Sequence, residues 1–432
     1  MKWFIFIVIF FQGVLVSGIV DKVNINGVDI PIVYEEYRGL PIVSFQLIVK
    51  NAGSNEDKNN AGIARFASNM LSEGSLKKGS IKFAEELESR AIHLSAHAGG
   101  ETLVFEISSL REQFDFGVSM LKELLNDPNF SQDSFLKIKQ LTLGELSSKK
   151  SDFDYIANLN LKKLIFDGTP IGVPSMGDEQ SIEKLKIEDL KEFYKNYFDL
   201  SNMLIVVGGD ISIDEVKRSL KTLLEGIPVG SARVLKSYVA NGDKKENILV
   251  KETEQAYIYF GAPYNLSSGD ADIYKSKVAG FILGESGFGS RLMDEIRVKR
   301  GLAYSAYSRN HINRSNSYFS GHLQTKNENL KESVKLVKSE IKRFVADGAT
   351  QDELAQAKKF LLGSEPLRNE TLSQRLHRAF FEYYTGVGLG YSKLELEKIE
   401  NLTLKDLNEF IKKHDEINNL SFSVVTNQSE QK

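Results

Sequence analysis

The sequence predicts an α+β protein that is built from two homologous domains. Three observations lead to this prediction: the length of the chain, an internal repeat, and strand and helix patterns that alternate along both halves. A chain of 432 residues exceeds the roughly 250–300 residues at which a single hydrophobic core stops growing, so at least two domains are expected. Its 41% hydrophobic and 26% charged residues are typical of a folded globular protein.

The internal repeat is clearest in the helical segments near the end of each half. Residues 182–198 match residues 399–415 at an offset of 217 residues, with identities that include Ile182 and Ile399, Asp189 and Asp406, Leu190 and Leu407, Glu192 and Glu409, and Phe193 and Phe410. Further upstream, Gln132 and Gln351 begin equivalent helical patterns at an offset of 219 residues. An apolar strand pattern follows the helices in both halves. The same order of elements at nearly one offset indicates an internal duplication.

The strand patterns and turn residues divide the chain into domains. Alternating apolar residues predict strands at 23–36 and 41–50 in the first half and at 247–263 in the second. Glycines, charged residues and Pro228 between the halves are typical of a linker. We therefore predict an N-terminal domain over 19–225, a linker over 226–246 and a C-terminal domain over 247–428.

The first eighteen residues resemble a secretory signal peptide. Lys2 precedes an apolar run that extends to Val16, and the small residues Ser17 and Gly18 supply a cleavage position. A chain that is exported but has no cysteine fits a bacterial periplasm. The alternative is that the segment is retained as an inner-membrane anchor. No second apolar run of membrane length follows it in the sequence.

Composition also excludes several classes of function. The net charge of -3 provides no excess of cations for binding a polynucleotide. The absence of cysteine excludes thiol nucleophiles, disulfides and thiolate metal sites. Any metal site in this chain must therefore use histidine and carboxylate ligands, and the sequence has only six histidines.

The segment NAGSNEDKNNAGIARFASNMLSEGS, residues 51–75, resembles the N-terminal signature of the M16 family, which includes pitrilysin, insulinase and the mitochondrial processing peptidase. The resemblance extends over nearly the whole mature chain. It implies that each domain is an antiparallel-rich sheet with helices packed on one face. It also implies that two such domain pairs close around an extended peptide, so a chain with one pair needs a second chain.

The same resemblance implies an inverted zinc motif, His-x-x-Glu-His, and a further glutamate ligand about seventy-six positions later. In this sequence the two histidine positions are Arg65 and Asn69, the glutamate position is Ser68, and the distal ligand is kept as Glu145. Arginine stays protonated, an asparagine oxygen is a poor zinc ligand, and serine without a partner is no general base. We therefore expect no zinc bound by this chain.

The replaced motif suggests an ion pair. Arg65 brings a permanent positive charge to the position of the metal, and Glu145 would face it from another helix. We expect a bidentate salt bridge between these two side chains, which would take over the structural role of the ion. The alternative is that Arg65 points to solvent.

His93 and His97 are the remaining candidates for a metal site. Their even spacing places both rings on one face of a predicted strand, and Glu106 or Glu145 could supply a third ligand. The other interpretation is that both histidines are surface residues. The family resemblance implies that this strand flanks the substrate.

The segment GESGFGSRLMDEIRVKRGLAYSAYS, residues 284–308, carries a glycine-rich turn, a helix and a strand. The turn is not a nucleophile elbow, because Phe288 stands at the fifth position of the G-x-S-x-G pattern. Arg297 and Tyr304 resemble an arginine and tyrosine pair of M16 peptidases, which implies that they hold the substrate backbone and stabilise the oxyanion above a zinc ion from another domain. The structural alternative is that Arg297 pairs with an acidic neighbour such as Asp294, while Tyr304 is half-buried and serves in packing.

Together these observations predict the non-catalytic subunit of a periplasmic, heteromeric M16-type zinc metallopeptidase that acts on peptides. The chain would be inactive alone and active with a partner chain that keeps the His-x-x-Glu-His motif and holds the zinc. Arg297 and Tyr304 would complete the partner's active site. Two alternatives remain open: a repurposed peptide-binding or scaffold protein, and an active metallopeptidase that uses His93 and His97.

Overall fold

The fold is taken from a computed structural model, which describes residues 18–57 and 60–428. Its strands are β1 (Ile19–Ile25), β2 (Val28–Glu36), β3 (Ile42–Lys50), β4 (His93–Ala98), β5 (Thr102–Leu110), β6 (Met203–Gly209), β7 (Tyr238–Val239), β8 (Glu246–Val250), β9 (Gln255–Pro263), β10 (Ala303–Ile312), β11 (Asn316–Lys326) and β12 (Ser421–Thr426).

The helices complete the two halves, and two of them, α9 and α10, continue into π-helical turns at Phe281–Glu285 and Asp294–Val298 respectively. The helices are α1 (Ile63–Leu71), α2 (Gly79–Glu88), α3 (Phe114–Asn126), α4 (Gln132–Lys149), α5 (Phe153–Ile165), α6 (Glu179–Lys184), α7 (Ile187–Tyr197), α8 (Ile213–Leu223), α9 (Ile273–Gly280), α10 (Arg291–Met293), α11 (Leu330–Asp347), α12 (Gln351–Gly363), α13 (Leu372–Thr385), α14 (Tyr391–Asn401) and α15 (Leu404–Lys413).

The two sheets share five strands in the same order, and each has one further strand, β1 in the first sheet and β7 beside β11 in the second. The first sheet has the order β1-β2-β6-β3-β5-β4, and the second has the order β8-β12-β9-β11-β10. In each sheet the first strand of the repeat, β2 or β8, pairs in parallel with the last, β6 or β12, and the neighbouring pairs are antiparallel. The internal duplication and the antiparallel-rich α+β fold predicted from the sequence are confirmed.

The repeated helices begin with the same local chemistry. Ser131 precedes α4, and its hydroxyl accepts a hydrogen bond from the backbone N–H of Ser134. Thr350 precedes α12, and its hydroxyl accepts the backbone N–H of Glu353 in the same way. Such caps satisfy backbone donors that the first helical turn leaves free. The sequence match at Gln132 and Gln351 therefore marks two equivalent helix starts.

Each sheet packs most of its own helices on one face, as predicted, but the other face is covered by a helix of the other half. α5 of the first half packs on β9 and β12 of the second sheet. α13 of the second half packs on β2 and β6 of the first sheet, where Leu372, Leu376 and Ala379 are buried. The two halves thus exchange one helix each, and both apolar sheet faces are removed from water.

Strand glycines allow both exchanged helices to approach closely. A Cβ atom at Gly208 of β6 would lie 2.9 Å from a methyl carbon of Leu376. A Cβ atom at Gly261 of β9 would lie 3.3 Å from side-chain carbons of both Leu161 and Ile165 of α5. Glycine within a strand often marks such a close approach.

Polar contacts fix the two halves further. Arg375 of α13 donates to Glu35 of β2 at 2.6 Å, and both side chains are largely buried. The loop between β10 and β11 contacts the first half through Ser315. Its hydroxyl accepts a hydrogen bond from the Asn55 amide at 2.9 Å, and its backbone N–H donates to Glu101 at 2.7 Å.

The predicted linker over 226–246 runs from the end of α8 to the start of β8 and forms the short strand β7, which pairs with β11. The predicted signal segment lies outside the described residues except for Gly18. Among the residues that the structure describes, no helix combines the length and the apolar character needed to cross a membrane.

The exchange predicts that a helix of the second half stabilises the first sheet. Leu376→Ala should lower the free energy of unfolding by about 2–4 kcal/mol, because it opens a cavity between α13 and β6. Urea denaturation of the full chain measures this change. Leu394→Ala on α14 is the control, since Leu394 is 47% exposed, and it should cost less than about 1 kcal/mol. Equal, small effects of the two substitutions would contradict the proposed packing.

Candidate functional site

The helix that carries the replaced zinc motif, α1, is anchored at its start by Asp57. This carboxylate is 5% exposed and accepts the backbone N–H groups of Gly62 at 2.9 Å and Ala64 at 3.2 Å. Burial raises the pKa of Asp57 to about 7, although the two hydrogen bonds act in the opposite direction. Asp57 thus caps α1 and titrates near neutral pH.

The ion pair expected between Arg65 and Glu145 is present, but one guanidinium nitrogen makes both contacts, so the pair is not the bidentate one that was expected. The Nη2 atom of Arg65 on α1 lies 3.0 Å from Oε1 and 3.4 Å from Oε2 of Glu145 on α4. The alternative in which Arg65 points only to solvent is therefore wrong. Both side chains are about two-fifths exposed, so solvent screens the pair and its contribution to stability is below about 1 kcal/mol.

The residues at the motif positions do not fit a zinc ion. The Glu145 carboxylate already pairs with the guanidinium of Arg65. The guanidinium itself has no lone pair to offer a metal. The buried Ser68 hydroxyl donates to the backbone carbonyl of Arg65 at 2.8 Å, so it is held within the helix. In the described part of the chain no group of three or more histidine, aspartate or glutamate side chains is arranged to hold a metal ion.

The structure does not bring His93 and His97 together as metal ligands. Both lie exposed on β4, at the edge of the first sheet, and share one face, as predicted. A strand rises about 3.3 Å per residue, so their backbones are about 13 Å apart. Glu106 of β5 lies opposite Ser95 of β4, midway between the two histidines. The hypothesis of a metal site at these histidines is therefore wrong.

A cavity of about 540 Å³ lies beside Arg65, between the two halves of the chain. Its walls come from the exchanged helices α5 and α13, the turn between β4 and β5, and the loop between β10 and β11. Its charged lining residues are Arg65, Lys162, Arg314 and Glu101, that is, three cations and one carboxylate. Of these cations, only Arg65 was predicted from the sequence as a site residue. Lys162 was not, because nothing in the sequence pattern of α5 distinguishes it from a surface lysine.

Arg297 lies between two aromatic rings. The Cζ atom of its guanidinium is 4.4 Å from the ring centre of Tyr304 and 4.4 Å from that of Phe288. Both rings are exposed, Tyr304 by 82% and Phe288 by 67%. Arg297 forms no salt bridge to any residue that the structure describes, and Asp294 pairs instead with Lys299 at 2.9 Å. The alternative in which Arg297 pairs with Asp294 and Tyr304 is half-buried is therefore wrong.

Local backbone features bring these three side chains together. Arg297 lies in the π-helical turn after α10, and the carbonyl oxygen of Arg297 accepts the backbone N–H of Gly301, which has a φ of +62°. β10 begins with a bulge between Ala303 and Ala306, and Tyr304 lies at this bulge. Bulges of this kind redirect a side chain out of the regular strand.

Phe288 was missed as a functional candidate. In the sequence, Phe288 served only to exclude a nucleophile elbow. Its flanking glycines, Gly287 and Gly289, have φ values of +65° and +93°, a conformation that favours glycine and presents the ring at the tip of a tight turn. An exposed aromatic residue between two glycines was the signal that pointed to it.

A cavity of about 790 Å³ opens beside Arg297 and Tyr304. It has no lining residue in common with the cavity beside Arg65. The structure thus brings Arg65 together with Glu145, and Arg297 together with Tyr304, but Arg65 lines one cavity whereas Arg297 and Tyr304 line another.

Restoring the motif tests the placement of α1 against α4. The triple variant Arg65→His, Ser68→Glu and Asn69→His should bind about one zinc ion per chain, because two histidines one turn apart would face Glu145. Metal analysis of the dialysed protein by mass spectrometry measures this. Adding Glu145→Gln should weaken zinc binding by at least about tenfold. A folded triple variant that binds no zinc would contradict the assignment.

The capping carboxylate predicts a pH dependence. The pKa of Asp57 in the fold lies above its value of about 4 in the unfolded chain, so the fold is favoured below pH 4 and loses this contribution as the pH rises through 7. Asp57→Asn should reduce the loss of unfolding free energy between pH 4 and 8 by on the order of 3 kcal/mol. Urea denaturation at several pH values measures this. An unchanged slope in the variant would refute the prediction.

Comparison with known proteins identifies the family. The family profile "Insulinase (Peptidase family M16)" matches residues 32–179, and the profile "Peptidase M16 inactive domain" matches residues 184–361. The second match begins ahead of the predicted linker. The curated relative "Non-peptidase homolog YmxG" of Helicobacter pylori is 42% identical over 422 residues, which cover 98% of this chain and 97% of the relative.

More distant relatives and solved structures share the fold. The "Uncharacterized zinc protease YmxG" of Bacillus subtilis is 24% identical over 73% of this chain and 76% of its own length. The crystal structure of a peptidase M16 inactive domain from Pseudomonas fluorescens superposes with a TM-score of 0.87 at 24% identity, over 96% of this chain and all of that one. The chain therefore belongs to the M16 peptidase family.

Proposed function

We propose that this chain is the non-catalytic subunit of a heteromeric M16-type zinc peptidase that acts on peptides. The partner is an M16 chain with an intact His-x-x-Glu-His motif, which holds the zinc. One observation carries the proposal: the chain has lost the zinc ligands at Arg65 and Asn69, yet it presents Arg297 between two exposed rings without a salt bridge to any described residue.

The geometry around Arg297 suits stabilisation of a negative charge outside this chain. A guanidinium carries five donors, and stacking on Phe288 and Tyr304 leaves its edge free for an acceptor. The hydroxyl of Tyr304 is a second donor at the rim of the adjoining cavity. In the complex, both groups would donate to the oxyanion that forms when a peptide carbonyl is attacked. The partner's zinc would activate the attacking water.

The proposed location is the periplasm, supported by the signal-like segment over residues 1–18 and by the lack of cysteine. A second candidate function is a peptide-binding scaffold without a role in hydrolysis. The pairing of Arg65 with Glu145 suits both functions, whereas the exposed stack of Arg297 favours the subunit.

Substitution of Arg297 tests the shared active site. In the assembled pair, Arg297→Ala should lower kcat for peptide hydrolysis by about 100-fold, because a charged donor to the oxyanion is lost. Arg300, three positions after Arg297, is the matched control. Its guanidinium pairs with Glu295, so Arg300→Ala should leave kcat nearly unchanged. Hydrolysis that is equally fast in the Arg297 and Arg300 variants would exclude the shared site.

Co-purification tests the partnership. The tagged mature chain, isolated from its own organism, should bring down one M16 chain with the intact motif in roughly equal amount, identified by mass spectrometry. Recovery of the chain alone, or only with itself, would contradict the proposal and favour the scaffold.

A further inference from the structure

The cavity between the exchanged helices contains polar groups that are not used by the fold. The Lys162 ammonium on α5 lines this cavity and forms no hydrogen bond or salt bridge to a described residue. Burial lowers the pKa of Lys162, and no carboxylate opposes this shift. Burying an ammonium without an acceptor costs desolvation free energy. A ligand that supplies the missing acceptor would offset this cost.

Two further groups from the second half line the same cavity. The guanidinium of Arg314 lies over the ring of Tyr384, 4.7 Å from its centre, and has no salt bridge to a described residue. The Tyr384 hydroxyl is buried near Arg314 and Glu101, and it makes no hydrogen bond within 3.5 Å to a residue that the structure describes. Burial and the nearby Glu101 carboxylate raise the pKa of Tyr384, so the hydroxyl stays protonated and can donate. Glu101 itself accepts the backbone N–H of Ser315.

We propose that this cavity binds the carboxylate of a peptide, with Lys162, Arg314 and the Tyr384 hydroxyl as donors. Charge decides the sign of the ligand, because Arg65 is paired with Glu145 and the described lining still has two cations, Lys162 and Arg314, against the single carboxylate of Glu101. The ammonium, the guanidinium and the phenol are all donors that a carboxylate accepts from.

Size and wall chemistry indicate that the ligand is organic. A volume of about 540 Å³ is in the range of small-ligand sites and exceeds the needs of an inorganic ion. Aromatic rings form much of the wall, and they suit an apolar side chain next to the carboxylate. The aromatic lining residues are Tyr155, Tyr318, Phe380, Phe381 and Tyr384. Phe381 is 51% exposed and Val173 36% exposed, so the cavity reaches the surface.

Carboxylate binding in this cavity needs neither Arg297 nor a partner chain. The binding proposal can therefore be wrong while the proposed function is right, and the proposed function can be wrong while the cavity still binds a carboxylate. The carboxylate has two sources, a peptide C-terminus or an acidic side chain. Three N-acetylated probes separate them: Ala-Ala-Ala-Ala-Phe as the free acid, the same peptide as the C-terminal amide, and Ala-Ala-Glu-Phe-Ala amide.

Isothermal titration calorimetry of the full mature chain with each probe tests the proposal. We expect the free acid or the glutamate probe to bind at least about tenfold more tightly than the neutral amide, and the stronger of the two identifies the source. Lys162→Met should weaken that probe by about tenfold, because it removes the charge and keeps the stem. Lys163→Met is the matched control, since Lys163 is the exposed neighbour on α5, and it should retain wild-type affinity.

Folding of the variant is checked in the same samples. Lys162→Met should not lower Tm, because it removes a partly buried charge without a described partner. The tightest probe should raise the Tm of the wild type more than that of the variant at the same concentration. Equal affinity for the acidic and neutral probes would overturn the proposal. Full binding by the Lys162 variant, or no binding of any probe at millimolar concentration, would overturn it as well.

Discussion

The reciprocal exchange of α5 and α13 is the constraint on which the rest of the structure depends. Each sheet has two apolar faces, and the helices of its own half cover mainly one of them. Burying the second face requires a helix from the other half, so neither half completes its packing alone. The exchange fixes the orientation of the halves, and the cavity beside Arg65 is the space left between the two exchanged helices.

The same arrangement explains what becomes of a zinc site when its ligands are replaced. A lone carboxylate facing a gap between helices needs a countercharge, and Arg65 supplies one without the desolvation cost of a deeply buried pair, because both partners keep water contact. The capping of α1 by Asp57 does not depend on a metal. The position of the helix is therefore fixed by contacts that need no metal ion.

The two-domain fold could be predicted from the sequence because a duplication leaves the same pattern of strands and helices in both halves. The offset between residues 182–198 and 399–415 predicted two like domains. The resemblance to the M16 family implied that Glu145 faces the position of Arg65, and the opposite charges of the two side chains then predicted their ion pair. The helix exchange was not accessible, because an apolar helix face does not specify which of two similar sheets it covers. The even spacing of His93 and His97 predicts their shared face, but the rise along the strand decides the distance between them and separates their backbones.

Arg297 and Lys162 show why local sequence is an uneven guide to function. Arg297 stands in a glycine-rich segment whose turn, π-helical step and bulge are all local, so its neighbourhood can be inferred from nearby residues. The surroundings of Lys162 come from the second half of the chain, and they exist only after the exchange has taken place. A binding group made by an exchange of elements is therefore visible only in the folded chain, whereas a pair presented on one turn can be recognised beforehand.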